Sequence, residues 1–188
     1  MGFGAEALGS VVSALRDAGL DGVVIGGTCV ELALGKKYFE GDVDLFSTTL
    51  SPTFDEEELR KVAESCGCSV GQIGWGVARL VCESGGEAVE VEVFENMFDV
   101  YVPQDFIDAA IEYKVGGSVA KALRPEHHIV LKARAGREKD LDDLKKIATL
   151  VLEGKLKIDH SVIEEAIRKF DEEEQRVIER RLRDSGLY

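Results

Sequence analysis

Residues 22–46, GVVIGGTCVELALGKKYFEGDVDLF, constrain the fold more than any other stretch of this 188-residue chain. Residues 22–26 are a short apolar run between glycines and read as a buried strand. Gly26-Gly27-Thr28 turns the chain into CVELALGK, a short helix ended near Gly35. Asp42-Val43-Asp44 then leads into a second strand, 43–48. Side chains alternate along a strand, so Asp42 and Asp44 point the same way. Two like charges so close repel each other, and a hard cation relieves them best. Mg²⁺ favours one or two carboxylates completed by phosphate oxygens and water. Backbone N–H groups at a helix start can receive phosphate. Gly26 and Gly27 permit close backbone approach, and Thr28 adds a hydroxyl. Each feature alone is common on strands and turns. Their order and spacing, with thirteen residues between Thr28 and Asp42, give them meaning together.

The flanking sequence sets this segment in an α+β frame. Ala7, Leu8, Val11, Val12, Leu15 and Ala18 recur at helical spacing and predict a helix over 4–19. A helix over 54–66 follows the Asp strand, with Glu56, Glu57 and Glu58 in its first turn, where carboxylates suit the helix dipole. Strands are predicted at 69–75, 78–84 and 87–94, the last two joined by the turn Ser84-Gly85-Gly86-Glu87. The last strand alternates Val89, Val91 and Val93 with Glu90 and Glu92. A further short strand is expected at 99–102. From Pro103 the pattern becomes helical, at 104–114, 125–136, 139–152, 160–170 and 172–184. The expected architecture is a small mixed β-sheet flanked by helices over 1–103, then a helical C-terminal region, 104–188, that completes a cleft.

Composition removes several function classes. No apolar stretch approaches the ~20 residues that span a bilayer, and the N-terminus lacks a signal-peptide pattern, so a cytoplasmic protein is expected. The net charge of −13 argues against non-specific nucleic-acid binding, which needs a basic footprint. Residues 121–157 are the basic exception and could serve a local polyanion. The four cysteines, Cys29, Cys66, Cys68 and Cys82, are expected as thiols; a disulfide is expected only in hyperthermophiles that tolerate one inside the cell. Their spacing is not that of a zinc site. His127 and His128 are read as packing or surface residues ahead of phosphate or metal contacts.

Gly26-Gly27-Thr28 followed by Asp42-Val43-Asp44-Leu45 resembles the signature of the nucleotidyltransferase superfamily, the DNA polymerase β-like fold. Ile25 and Leu45 fill its apolar positions. The family carries a third carboxylate on a later strand, for which Val89-Glu90-Val91-Glu92-Val93 supplies two candidates. Glu92 is preferred because two apolar residues follow it; Glu90 is the alternative, and the family more often has Asp there. Residues 131–144, LKARAGREKDLDDL, resemble a segment of uncharacterised prokaryotic nucleotidyltransferases and abortive-infection toxin-type transferases, where it joins two helices beside the nucleotide.

The resemblance implies a metal-dependent transfer of a nucleotidyl group from a nucleoside triphosphate to an unidentified acceptor: a tRNA end, a protein or a small molecule. Asp42, Asp44 and Glu92 would bind Mg²⁺ or Mn²⁺. Gly26, Gly27, Thr28, Lys132, Arg137 and Lys139 would hold the nucleotide. Inter-helix ion pairing is the rival reading of the last three, with Asp140 capping the second helix. Two other functions compete: a catalytically degenerate module that needs a protein partner, and a Mg²⁺-dependent phosphohydrolase.

Overall fold

A computed structural model of the chain describes residues 2–97 and 100–188. They divide into two compact units, Met1–Val102 with Ala110–Leu123, and Pro103–Ala109 with Arg124–Tyr188.

The first unit is built on a seven-stranded mixed sheet in the order β5-β6-β7-β4-β2-β9-β8. Its strands are β2 (Gly22–Val24), β4 (Val43–Ser47), β5 (Ser69–Gln72), β6 (Ala78–Ser84), β7 (Glu87–Phe94), β8 (Ile111–Val115) and β9 (Ser118–Ala122). β4 and β7 run parallel, as do β2 and β9; the other neighbours are antiparallel. Gly85 and Gly86 both take positive φ in the two-residue turn between β6 and β7, the conformation that matches the strand twist. Helix α1 (Ala5–Asp17) buries Ala7, Leu8, Val11 and Leu15 and packs across β6, β7, β8 and β9. Val89, Val91 and Val93 are all but inaccessible, and each such side chain contributes ~1.5–3 kcal/mol of burial free energy. Helix α2 (Gly26–Ala33) packs on β4, and α3 (Glu56–Ser65) on β5. A separate two-stranded sheet joins β1 (Gly2–Gly4) to β3 (Tyr38–Glu40).

The second unit is helical: α4 (Gln104–Asp108), α5 (Pro125–Ala135), α6 (Glu138–Leu152), α7 (His160–Ile167) and α8 (Glu172–Ser185). Helix α5 is its centre, packed by α6, α7 and α8. Asp159 and Asp171 cap α7 and α8 by accepting first-turn N–H groups. At the other end of α5, Arg181 donates to the carbonyls of Ala133 and Arg134.

Several expectations are corrected. The expected helix 104–114 ends at Asp108, and 111–122 form a hairpin that joins the main sheet through β9. Ile111, Tyr113 and Val115 alternate with Glu112 and Lys114, a strand period that overrides helical propensity. The division is therefore not a single cut at 103, because 110–123 return to the first unit. The Gly-Gly-Thr turn is itself the first turn of α2. Strand 69–75 stops at Gln72, and Gly74–Gly76 form a 3₁₀ turn. The strand expected at 99–102 falls partly on residue 99, outside the described residues, and 100–102 form no strand.

The cysteines are not all thiols. The antiparallel pairing of Ser69 with Val81 brings the preceding residue, Cys68, opposite Cys82, and the two form a disulfide with their Cα atoms 4.3 Å apart. Cys29 and Cys66 carry no disulfide.

Candidate active site

The carboxylates singled out in the sequence lie at one corner of the first unit. β2 and β4 are antiparallel, so the end of β2 meets the start of β4, and the Ile25 N–H donates to the Asp44 carbonyl at 2.8 Å. The chain then turns into α2 through Gly26, whose φ is +67°. Asp44 comes so near that a Cβ at Gly26 would lie 1.8 Å from its Oδ2. No side chain other than hydrogen fits there, and the positive φ also favours glycine. The Asp44 carboxylate thus rests at the N-terminal end of α2, where the helix dipole suits a negative charge. Space around Gly27 is open: no heavy atom lies within 4 Å of a Cβ built there.

Thr28 lies in the first turn of α2. It is buried, and its hydroxyl donates to the Asp42 carbonyl at 3.3 Å. That bond ties the first turn of α2 to the residue leading into β4 and so fixes Asp42 against the helix start.

Register brings in the third carboxylate. In the parallel pair β4–β7, Asp44 lies opposite Glu92. Glu92 is 7% exposed. Burial raises its pKa above the ordinary carboxylate range, Asp42 adds to the rise, and Arg79 opposes it. Glu90, the alternative, lies two residues earlier on the same face of β7 and is half-buried.

Arg79 is the residue that sequence reasoning missed. In the antiparallel pair β6–β7 it lies opposite Glu92. Its Nη2 donates to Glu92 Oε1 at 2.5 Å, and its Nη1 pairs with Glu90 Oε2 at 3.0 Å. The signal was present in ARLVCES, where Arg79 falls on the face opposite buried Ala78, Leu80 and Cys82, but only the register pairs it with Glu92.

The donor set suits a hard divalent cation. Asp42, Asp44 and Glu92 offer oxygen only, and the helix start beside Asp44 is open at Gly27. Among the described residues no group of three or more His, Cys, Asp or Glu side chains is placed to hold a metal ion. Mg²⁺ does not require one, since it is commonly held by one or two carboxylates with substrate phosphates.

The basic residues of the second unit form a cluster of their own. Lys132 Nζ donates to Asp140 Oδ1 at 2.8 Å and to Asp143 Oδ2 at 3.0 Å. Arg137 donates to Asp140 from its backbone N at 3.2 Å and from Nε at 2.7 Å, a capping box at the start of α6. Asp140 is fully buried; burial raises its pKa, but Arg137 and Lys132 outweigh it and hold the carboxyl at about 2. The capping expected of Asp140 is present. Lys139 is exposed and takes no part in the recorded pairs. His127 and His128 are buried packing residues, His127 stacked on Phe106 with ring centroids 4.1 Å apart.

Residues 4–184 match the family described as "Nucleotidyl transferase of unknown function (DUF2204)". The chain belongs to this nucleotidyl transferase family. Membership agrees with the motif resemblance at Gly26–Thr28 and Asp42–Leu45, and it spans both units. No curated protein matches the chain. Among solved structures, this nucleotidyl transferase family member is similar to the crystal structure of ANT(2")-Ia in complex with adenylyl-2"-tobramycin. The identity is 19%, the TM-score 0.46, and the match covers 94% of this chain and 95% of that one. Among the described residues no helix is long and apolar enough to cross a membrane.

Proposed function

We propose that the chain moves a nucleoside monophosphate group from a nucleoside triphosphate to an acceptor at the corner formed by Gly26–Thr28, Asp42 and Asp44. The approach of the Asp44 carboxylate to Gly26 carries this reading. It sets the Asp44 carboxylate beside a helix start that has open space at Gly27, with Asp42 leading into the same strand.

Asp42 and Asp44 would hold Mg²⁺ or Mn²⁺, with Glu92 adding negative charge from the neighbouring strand. When bound, the ion supplies charge stabilisation and alignment for an in-line displacement. The chain's own contribution is placement. The N–H groups of Gly26 and Gly27 face the phosphates at the positive end of α2. Thr28 pins Asp42 from the same turn. The second unit keeps its own cluster, with the Lys132 ammonium shared between Asp140 and Asp143.

Calorimetry with Mg²⁺ and each nucleoside triphosphate tests the reading. The folded chain is expected to bind at least one triphosphate in a metal-dependent way, and Asp42→Asn and Asp44→Asn are each expected to weaken that binding at least tenfold. Absence of binding by folded protein would favour a degenerate or partner-dependent module.

A further inference from the structure

We propose that the chain forms a weak, two-fold symmetric dimer in which the edge strand β8 pairs antiparallel with β8 of a second copy, centred on Tyr113.

The backbone argues it first. β8 ends the seven-stranded sheet, with β9 on one side and no strand on the other among the described residues. Gly116 and Gly117 both take positive φ in the two-residue turn between β8 and β9, so the flanking Val115 and Ser118 exchange hydrogen bonds. Hydrogen-bonded and non-hydrogen-bonded pairs alternate along an antiparallel ladder. Ile111 and Tyr113 therefore also bond to β9, and the N–H and C=O groups of Glu112 and Lys114 point outward from the sheet. The far side of the hairpin keeps the same parity: just past β9, the Leu123 N–H turns to β2 and donates to the Val24 carbonyl at 2.9 Å.

Charge argues it second and names the occupant. Glu112 and Lys114 are exposed. Within the chain, Glu112 lies opposite Lys121, whose ammonium turns to Asp21 at 3.9 Å, and Lys114 lies opposite uncharged Val119. A lysine on an edge strand ordinarily repels a second copy. Here a glutamate two residues away reverses that effect. With Tyr113 on the symmetry axis, Glu112 of each copy meets Lys114 of the other. The outward N–H of each donates to the outward C=O of the other, so the two ladders match. Tyr113 meets its own counterpart, an aromatic cross-strand pair. A slip by two residues keeps the hydrogen bonds but sets Glu112 against Glu112 or Lys114 against Lys114, and in-register parallel pairing does the same. The sequence Ile-Glu-Tyr-Lys-Val is thus complementary to itself in this register. The opposite edge, β5, reads SVGQ and carries no charge to specify a register. A strand of five residues buries little surface, which places the dimer in the weak, transient class.

Sedimentation equilibrium of the full chain from roughly 10 µM to 1 mM tests this. The unaltered chain is expected to dimerise within that range. Glu112→Lys and Lys114→Glu, with folding checked by circular dichroism, are each expected to weaken the dimer at least about tenfold. An equimolar mixture of the two is expected to regain it as a heterodimer, and the double exchange Glu112→Lys/Lys114→Glu as a homodimer, because each restores opposite charges across the axis. A chain that stays monomeric throughout overturns the inference. A dimer indifferent to both reversals overturns it and places the contact elsewhere. Loss in the single variants with no recovery in the mixture or the double exchange also overturns it, as an effect on folding rather than on pairing. None of these outcomes bears on the proposed function.

Discussion

Replacing Gly26 by alanine puts a methyl carbon 1.8 Å from Asp44 Oδ2, 2.8 Å from its Cγ and 3.1 Å from its Cβ. The helix start and the β4 backbone are fixed by their ladder, so the Asp44 side chain must swing away. The φ of +67° adds to the cost. An L-residue in the left-handed region is disfavoured by roughly 1–2 kcal/mol, and a carboxylate leaving a helix N-terminus forfeits about 0.3–1 kcal/mol. Together they predict a loss of about 1.5–3 kcal/mol in unfolding free energy for Gly26→Ala. The displaced carboxylate also weakens Mn²⁺ binding by at least about tenfold, or ~1.4 kcal/mol. Gly27→Ala is the matched control. Nothing lies within 4 Å of the added carbon, so the helix gains up to about 1 kcal/mol from the substitution. Urea unfolding and calorimetry read both variants. Gly26→Ala with wild-type stability and wild-type Mn²⁺ affinity refutes the close approach of Asp44. Equal destabilisation by the two substitutions refutes the described start of α2.

Three further outcomes follow from the second unit and the disulfide. Burial, helped by Arg124 at His127 and by Lys132 at His128, lowers both imidazoles from 6.5 to about 4. The unfolded chain therefore takes up these protons first, and stability falls as pH drops from about 6.5 to about 4, by ~1.4 kcal/mol per pH unit for each histidine. His128→Gln is expected to remove about half of that slope; an unchanged slope contradicts the burial. Asp140→Asn leaves the Lys132 ammonium with Asp143 alone and breaks the α6 capping box, so denaturation should show a loss of about 3–5 kcal/mol; a loss under ~1 kcal/mol would show the cluster is peripheral. Reducing Cys68–Cys82, which closes a loop of sequence separation 14, is expected to lower unfolding free energy by about 3 kcal/mol. Equal stability of oxidised and Cys68→Ser/Cys82→Ser protein contradicts the pairing.

Much of the site could be read from the sequence because its parts are local. Asp42 and Asp44 share a face through strand alternation alone, and Gly26 sits where a chain leaving a strand enters a helix. What the sequence left open depended on long-range pairing. Glu92 was preferred to Glu90 only on the two apolar residues that follow it, and the β4–β7 register sets it opposite Asp44. Arg79 carries no motif, and its role exists only because β6 pairs with β7. The Cys68–Cys82 pairing is likewise a consequence of the β5–β6 register. In the fold, the hairpin 111–122 was lost because its alternating residues follow a helical-looking stretch and lie in a region otherwise rich in helices. Lys132 and Arg137 were placed correctly at a helix junction, but the sequence could not show that Asp140 would be fully buried between them.

The central claim is that the chain's chemistry falls on the α-phosphorus of a nucleoside triphosphate and depends on Asp42 and Asp44. Parallel incubation with α-labelled and γ-labelled triphosphate, Mg²⁺ or Mn²⁺, and total RNA, protein or small-molecule extract tests it most directly. The account predicts that α-label joins an acceptor while γ-label leaves in pyrophosphate, and that Asp42→Asn/Asp44→Asn abolishes both. Release of γ-label as orthophosphate with no α-label transferred would contradict it and identify a phosphohydrolase.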